Sequence, residues 1–381
     1  MRVYLDNAAT TPIDPEVFEA MKPYFLDHYG NPSSIHSHGR EVRSAIERSR
    51  KKVADLLNTS PSEIFFTSGG TEADNTAIMC SIKALGIKSA ITSKIEHHAV
   101  LHTLETLESE GKINLKYVDL DEVGHVQMDH LEQLIRQDPK CLVSLMHANN
   151  EIGNLNDIEA IGELCTEYGA VFHTDTVQAM GHYVHDLSRL KVQCLVGAAH
   201  KFNGPKGVGF LHINHEHKIA PFIHGGAQER NMRGGTENVT GIIGLTKALE
   251  IAYRDMEDHR KYIEGLKKRM IELLKDQVEG VAFNGDSANF ERSLYTVLNV
   301  CIPPSEDNDM LLFNLDIKGI SASGGSACSS GSNIGSHVLS ALNTDPDRGA
   351  IRFSFSKFNT QEEVDYAVKS LAEIVQGIPV I

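Results

Sequence analysis

The chain is expected to fold as an α/β protein, with a large unit on a mainly parallel sheet covered by helices and a smaller α+β unit after it. Three observations carry that expectation. Short β-rich runs alternate with helical stretches through the first two thirds of the chain, which implies crossover connections between parallel strands. The pattern then changes beyond a long amphipathic stretch from Val239 to Leu274. With 381 residues there is enough chain to bury a large core and to build two or three compact units.

The elements follow in order. Arg40 to Leu57 reads as helix, Glu63-Ile64-Phe65-Phe66 as strand and Thr71 to Leu85 as helix. Ser89-Ala90-Ile91-Thr92, Leu142 to Met146 and Ala170 to His173 read as strands, with Ile158 to Tyr168 a helix between the last two. Val239 to Leu274, rich in Leu, Ile, Lys and Glu, reads as one or two helices joining the units. Beyond it Tyr295 to Cys301 and Ala350 to Phe355 are β-like, and Asp307 to Leu315 and Gln361 to Val375 helical. In parallel sheets ligands collect at the carboxyl ends of strands. Asn150, Asp175 and Lys201 each lie just past a β-like run.

Composition narrows the function. The net charge of −15 disfavours nucleic acid or an anionic membrane surface as a main partner, because both need a concentrated positive face. The 19 histidines are scattered rather than gathered into a patch. No apolar run has the length of a membrane span, and the N-terminus does not read as a signal peptide. The six cysteines include no Cys-x-x-Cys pair and sit mostly in apolar surroundings, as expected of reduced thiols in the cytoplasm.

Chemistry concentrates in three segments. In His200-Lys201-Phe202-Asn203-Gly204-Pro205-Lys206-Gly207 a lysine follows an apolar strand. A lysine that forms a Schiff base must shed its proton near neutral pH, and a partly buried strand end favours this. Upstream, His173-Thr174-Asp175-Thr176-Val177-Gln178 offers an aspartate able to hold a pyridine nitrogen protonated. Together they suggest pyridoxal 5'-phosphate (PLP). Thr67-Ser68-Gly69-Gly70-Thr71-Glu72-Ala73 opens a helix, so backbone N–H groups and the helix dipole face an incoming phosphate. It is not a Walker loop, because no Lys-Ser or Lys-Thr follows the glycines. Each segment also has a plain structural reading, as surface turn, helix cap or strand-to-helix loop.

These segments resemble the cysteine desulfurases of the NifS and IscS type, within the fold type I PLP-dependent transferases, which implies a mainly parallel seven-stranded-type sheet in the large domain. The likeness runs almost end to end, through Tyr4-Leu5-Asp6-Asn7-Ala8-Ala9-Thr10-Thr11-Pro12, Gly30-Asn31-Pro32-Ser33-Ser34, Glu96-His97, Asn149-Asn150-Glu151-Ile152-Gly153, Arg233-Gly234-Gly235-Thr236, Ser323-Gly324-Gly325-Ser326-Ala327-Cys328 and Ile351-Arg352-Phe353-Ser354.

The resemblance implies that Lys201 carries the cofactor, that Asp175 faces its ring nitrogen and that His97 stacks on the ring and moves protons. His98 is then expected to face solvent or to donate a local hydrogen bond. Asn150 and Gln178 become neutral partners near the ring oxygen, and Gly70, Thr71 and His200 bind the phosphate. Thr236 reaches in from a second subunit, which makes a homodimer. Arg352, with Asn150, receives the substrate carboxylate, while Arg230 and Arg233 are expected to be surface charges and no more. It further implies a large PLP-binding domain at 13–255 and a small domain of 1–12 with 256–381 that carries Cys328. Small residues flank Cys328 on both sides, so its segment is expected to be a mobile loop presenting a nucleophile. Sulfur would pass from L-cysteine to Cys328 as a persulfide, L-alanine would leave, and an acceptor such as an iron–sulfur scaffold would take the sulfur.

Two departures from the family pattern stand out. Ala198 occupies a position where many relatives have a phosphate-binding serine, and the chain ends at Ile381 without the longer tail by which some members dock a scaffold. Two rival readings stay open. One is another PLP enzyme of this fold, such as a selenocysteine lyase or an aminotransferase. The other is an iron or iron–sulfur carrier in which Cys328 is a transient cluster ligand, although no resident metal is expected.

Overall fold

Short, fully buried apolar runs build the centre of the protein. The computed structural model describes residues 1–305, 308–324 and 335–377. Seven strands form the main sheet in the order Ile64–Thr67, Gly209–Ile213, Cys194–Ala198, Val171–Asp175, Leu142–Ser144, Ser89–Thr92 and Asn114–Tyr117. Gly209–Ile213 runs antiparallel to both neighbours, and the remaining pairs are parallel. The mainly parallel sheet expected from the sequence is present.

The crossover helices start and stop where their ends can be satisfied. Ile158–Tyr168 is capped by Asp157, whose side chain accepts from the Ala160 N–H at 3.0 Å, and it ends on left-handed Gly169 at φ 75°. Helix Gly70–Leu85 ends the same way on Gly86, at φ 64°. The connector resolves into two helices, Val239–Arg254 and Met256–Gln277, broken at Asp255, whose ψ of 16° is not helical.

The second body of structure has its own sheet, with Val297–Ile302 between Gly349–Ser354 and Ala282–Phe283, all antiparallel. Helices Met256–Gln277 and Gln361–Val375 pack on each other. The latter opens with a capping box between Thr360 and Glu363. One core cluster gathers Val17 through Ala252 around the main sheet, and another gathers Val3, Leu5 and residues from Ile263 to Ile374. The N-terminal segment crosses between them. Val3–Tyr4 pairs with Ile320–Ser321, while Thr11 N–H donates to the His200 carbonyl at 2.9 Å.

Candidate active site

A cavity of about 250 Å³ opens at the carboxyl ends of the parallel strands, where the N-terminal segment and strand Gly349–Ser354 close over the main sheet. Its walls are built element by element. Strand Val171–Asp175 delivers Asp175, whose Oδ1 accepts from the Val177 N–H at 2.8 Å. Burial pushes this carboxyl up to about 6, opposed by the Val177 N–H and by the charge of Lys201.

Strand Cys194–Ala198 leads through a 3-10 turn to Lys201. The Lys201 ammonium donates to the carbonyls of Ala8 at 2.5 Å and Ala9 at 2.9 Å. The N-terminal segment therefore supplies part of the lysine's surroundings, which no local motif indicates.

His97 is the N-cap of helix His98–Ser109, and its Nδ1 accepts from the Ala99 N–H at 3.1 Å. That contact leaves Nε2 as the protonated nitrogen of the neutral ring. Burial first, then the positive charge of Lys201, lowers its pKa to about 4. His98 lies elsewhere. It is partly buried between His102 and His337, with ring centroids 4.6 and 4.4 Å away, and its Nδ1 has no partner among the described residues. His337 approaches it from far along the chain.

Gly70 and Thr71 begin helix Gly70–Leu85 and turn its N-terminus toward the cavity, which His200 and Ala198 also line. His200 Nδ1 lies 3.2 Å from Thr10 Oγ1, and burial lowers its pKa to about 4. Gln178 lines the cavity but spends one amide donor on the Ala8 carbonyl, at 2.9 Å. Arg352 reaches in from strand Gly349–Ser354, 1 % exposed, donating through Nη1 to the Asn150 carbonyl at 2.8 Å and through Nη2 to Asp6 Oδ1 at 2.9 Å.

One expected residue lies apart. Thr236 is exposed and does not line its own chain's cavity. Cys328 lies outside the described residues. Arg230 and Arg233 are more than surface charges. Arg233 grips Glu72 through Nε at 3.0 Å and Nη2 at 3.2 Å, and Arg230 donates to the Pro61 carbonyl at 2.7 Å. Both fasten their loop to the segments flanking strand Ile64–Thr67.

Asp74 belongs to the site although the motifs do not single it out. It lies one helical turn beyond Gly70, lines the cavity and is fully buried, with Oδ1 3.3 Å from His173 Nε2. Burial, then the negative charge of Asp175 and Glu96, holds its carboxyl well above the usual range. The i, i+4 spacing from Gly70 was the available signal.

The cavity has the features PLP requires. Gly70 lets the helix N-terminus reach the cavity wall against Val177, since an added Cβ would stand 2.9 Å from Val177 Cγ2. Two buried polar atoms, Asn150 Oδ1 and Arg352 Nε, have no partner among the described residues and suit a polar ligand. Asp175 provides the anion that a ring nitrogen needs to stay protonated.

The aminotransferase class-V family model matches residues 3–367. The chain is 44% identical to "Cysteine desulfurase IscS" of Dictyoglomus turgidum, over 100% of this chain and 96% of that protein. It is 45% identical to the protein of the same name from Methanosarcina thermophila, over 99% and 92%. Among solved structures, a NifS-like protein superposes with a TM-score of 0.91 at 38% identity, covering 99% of this chain and all of the other. SspA in complex with cysteine superposes at 0.81 with 31% identity, over 94% of this chain. With the family model spanning both sheets and full-length relatives above 40% identity, the chain belongs to the aminotransferase class-V family, among its cysteine desulfurases of the NifS and IscS type.

Proposed function

We propose that this cysteine desulfurase uses PLP to take sulfur from L-cysteine, leaving L-alanine and a persulfide on Cys328. The observation that carries the reading is the convergence of Lys201, Asp175, His97 and Arg352 on one cavity at the strand ends. When bound, PLP supplies an aldehyde that captures amines and a ring that takes up electrons from the substrate's α-carbon.

The chain's residues divide the remaining work. Gly70, Thr71 and His200 hold the phosphate, and Thr236 completes the site of a second subunit in a homodimer. The exposure of Thr236 supports that sharing. Asp175 would keep the ring nitrogen protonated, Asn150 and Gln178 would be neutral partners for the ring oxygen, and His97 would stack on the ring with a neutral imidazole able to pass a proton. Lys201 would move the substrate's α-proton. Arg352 and Asn150 fix the substrate carboxylate, for which the guanidinium has three N–H donors beyond the two that hold Asn150 and Asp6.

The Cys328 thiolate then attacks the substrate Sγ. A sulfur–sulfur bond forms as the carbon–sulfur bond breaks, the electron pair remains with the three-carbon skeleton, and protonation releases L-alanine. An acceptor protein, such as an iron–sulfur scaffold, takes the sulfur. The core clusters support a large cofactor-binding unit at 13–255 and a small unit of 1–12 and 256–381. The buried free thiols Cys80, Cys141, Cys165, Cys194 and Cys301 suit a reducing cytoplasm.

The test is the mass of the Cys328 peptide after exposure to L-cysteine. The peptide should gain one sulfur atom and lose it on treatment with a reductant, whereas an unchanged peptide in a protein that consumes L-cysteine excludes the persulfide route.

A further inference from the structure

Arg352 is a buried cation at the edge of the cavity, and the salt bridge that answers its charge among the described residues is to Asp6. One oxygen of that carboxylate is shared. Asp6 Oδ1 accepts from Arg352 Nη2 at 2.9 Å and from Ser323 Oγ at 2.8 Å. The backbones are tied as well. Ser323 and Arg352 exchange both N–H···O bonds, at 3.2 and 2.6 Å, and Asp6 bridges to Ser354 on the same strand. Three remote segments therefore meet at one carboxylate behind the guanidinium.

We propose that Asp6 is a positioning residue that aims Arg352 at the substrate carboxylate, with Ser323 fixing the carboxylate of Asp6 in turn. The proposal rests on the reading of Arg352 as the residue that receives that group. An arginine head held by two acceptors, the Asn150 carbonyl and Asp6, has a defined plane, and its buried Nε has no partner among the described residues. The remaining donors are then presented to a ligand in a fixed fork rather than found by search, which lowers the ordering cost of binding. Asp6 also neutralises the guanidinium while no substrate is bound, which removes the penalty of an unpaired buried cation.

A positioning role has a signature that general damage to the fold lacks, because it acts only on ligands that carry the α-carboxylate. Binding of L-alanine and of ethylamine, which lacks that group, is read in the PLP-loaded enzyme from the change in cofactor absorbance. Asp6→Ala is expected to weaken L-alanine about tenfold while leaving ethylamine within about twofold. Asp6→Asn, which keeps volume and an acceptor oxygen, should show a smaller loss with the same selectivity. Ser323→Ala should weaken L-alanine less than Asp6→Ala and add nothing to it in the double variant, since both act through one oxygen.

Equal weakening of both ligands by Asp6→Asn, or an unchanged L-alanine affinity in Asp6→Ala, overturns the proposal. Arg352→Ala separates it from the reading beneath it. If that variant abolishes the preference for L-alanine and the Asp6 variants do not, the Asp6 proposal alone falls. If Arg352→Ala leaves the preference intact, both fall.

Discussion

Gly70 lies against Val177 so closely that a Cβ added to the glycine would stand 2.9 Å from Val177 Cγ2. The contact joins the N-terminus of the cavity-facing helix Gly70–Leu85 to the loop after Asp175, and Gly70 has no left-handed φ that would explain it otherwise. Gly70→Ala should therefore lower PLP affinity about tenfold by pushing that loop and the helix apart, a cost of the size of overpacking. Val177→Ala in the same chain should recover most of the loss, as read by equilibrium dialysis of the cofactor. A double variant no better than Gly70→Ala would place the effect in the helix itself.

Ala198 lines the same wall, its Cβ 3.8 Å from where a Cβ on Gly70 would stand. A hydroxyl here would add one donor toward the phosphate, so Ala198→Ser should tighten PLP by about 0.5–1.5 kcal/mol. Titration of the apo protein with PLP measures it, and unchanged affinity would show that the remaining donors already satisfy the phosphate.

The pH dependence of the apo protein follows from Asp175. Its folded carboxyl is raised to about 6 by burial, against about 3.9 in an unfolded chain. The unfolded state therefore releases this proton first as pH rises, and the fold loses up to about 3 kcal/mol between pH ~4 and ~6. Asp175→Asn should remove that part of the loss, so the variant gains stability over wild type as pH goes from 4 to 7. Urea denaturation across this range checks it, with parallel profiles contradicting the assignment. Asp74, raised for the same reason, should leave a remaining slope of the same sign.

Away from the cavity, Arg50 and Glu229 form a buried bidentate pair at 2.7 and 2.8 Å, and Glu229 also accepts from the Phe66 N–H at 2.8 Å. Glu229 opens a run of three successive non-glycine residues with positive φ, Glu229, Arg230 and Asn231, at 41°, 56° and 66°. Glu229→Ala should cost about 3–5 kcal/mol of stability, because it strands a buried guanidinium and a buried N–H. Replacing both partners, Arg50→Met with Glu229→Leu, should cost less than Glu229→Ala alone in the same denaturation experiment.

Local signals made much of the fold legible. Strand Ser89–Thr92 and helices Ile158–Tyr168 and Gln361–Val375 stand where the sequence places them, because alternation, caps and a terminal glycine act within a few residues. The sequence left one or two helices open in the connector, but the position of the break at Asp255 was not legible inside one continuous amphipathic pattern, nor was the reversed direction of Gly209–Ile213, a fully buried run whose period reveals no orientation.

The same division holds in the cavity. Lys201, Asp175 and Gly70 sit in motifs, whereas Asp74 is marked by its burial, and Asp6 meets Arg352 across 346 residues of chain. Contacts at such separations are fixed by the packing of the two cores and leave no local trace.

On the proposed route, sulfur leaves L-cysteine by attack of Cys328. The most direct measurement is L-alanine release from L-cysteine by the PLP-loaded protein, comparing wild type with Cys328→Ala. Wild type should turn L-cysteine over to L-alanine and the variant should release none, with both proteins retaining the cofactor. Equal release from the two would contradict it, since the thiol would then not be the nucleophile, and no release from either would remove desulfuration itself.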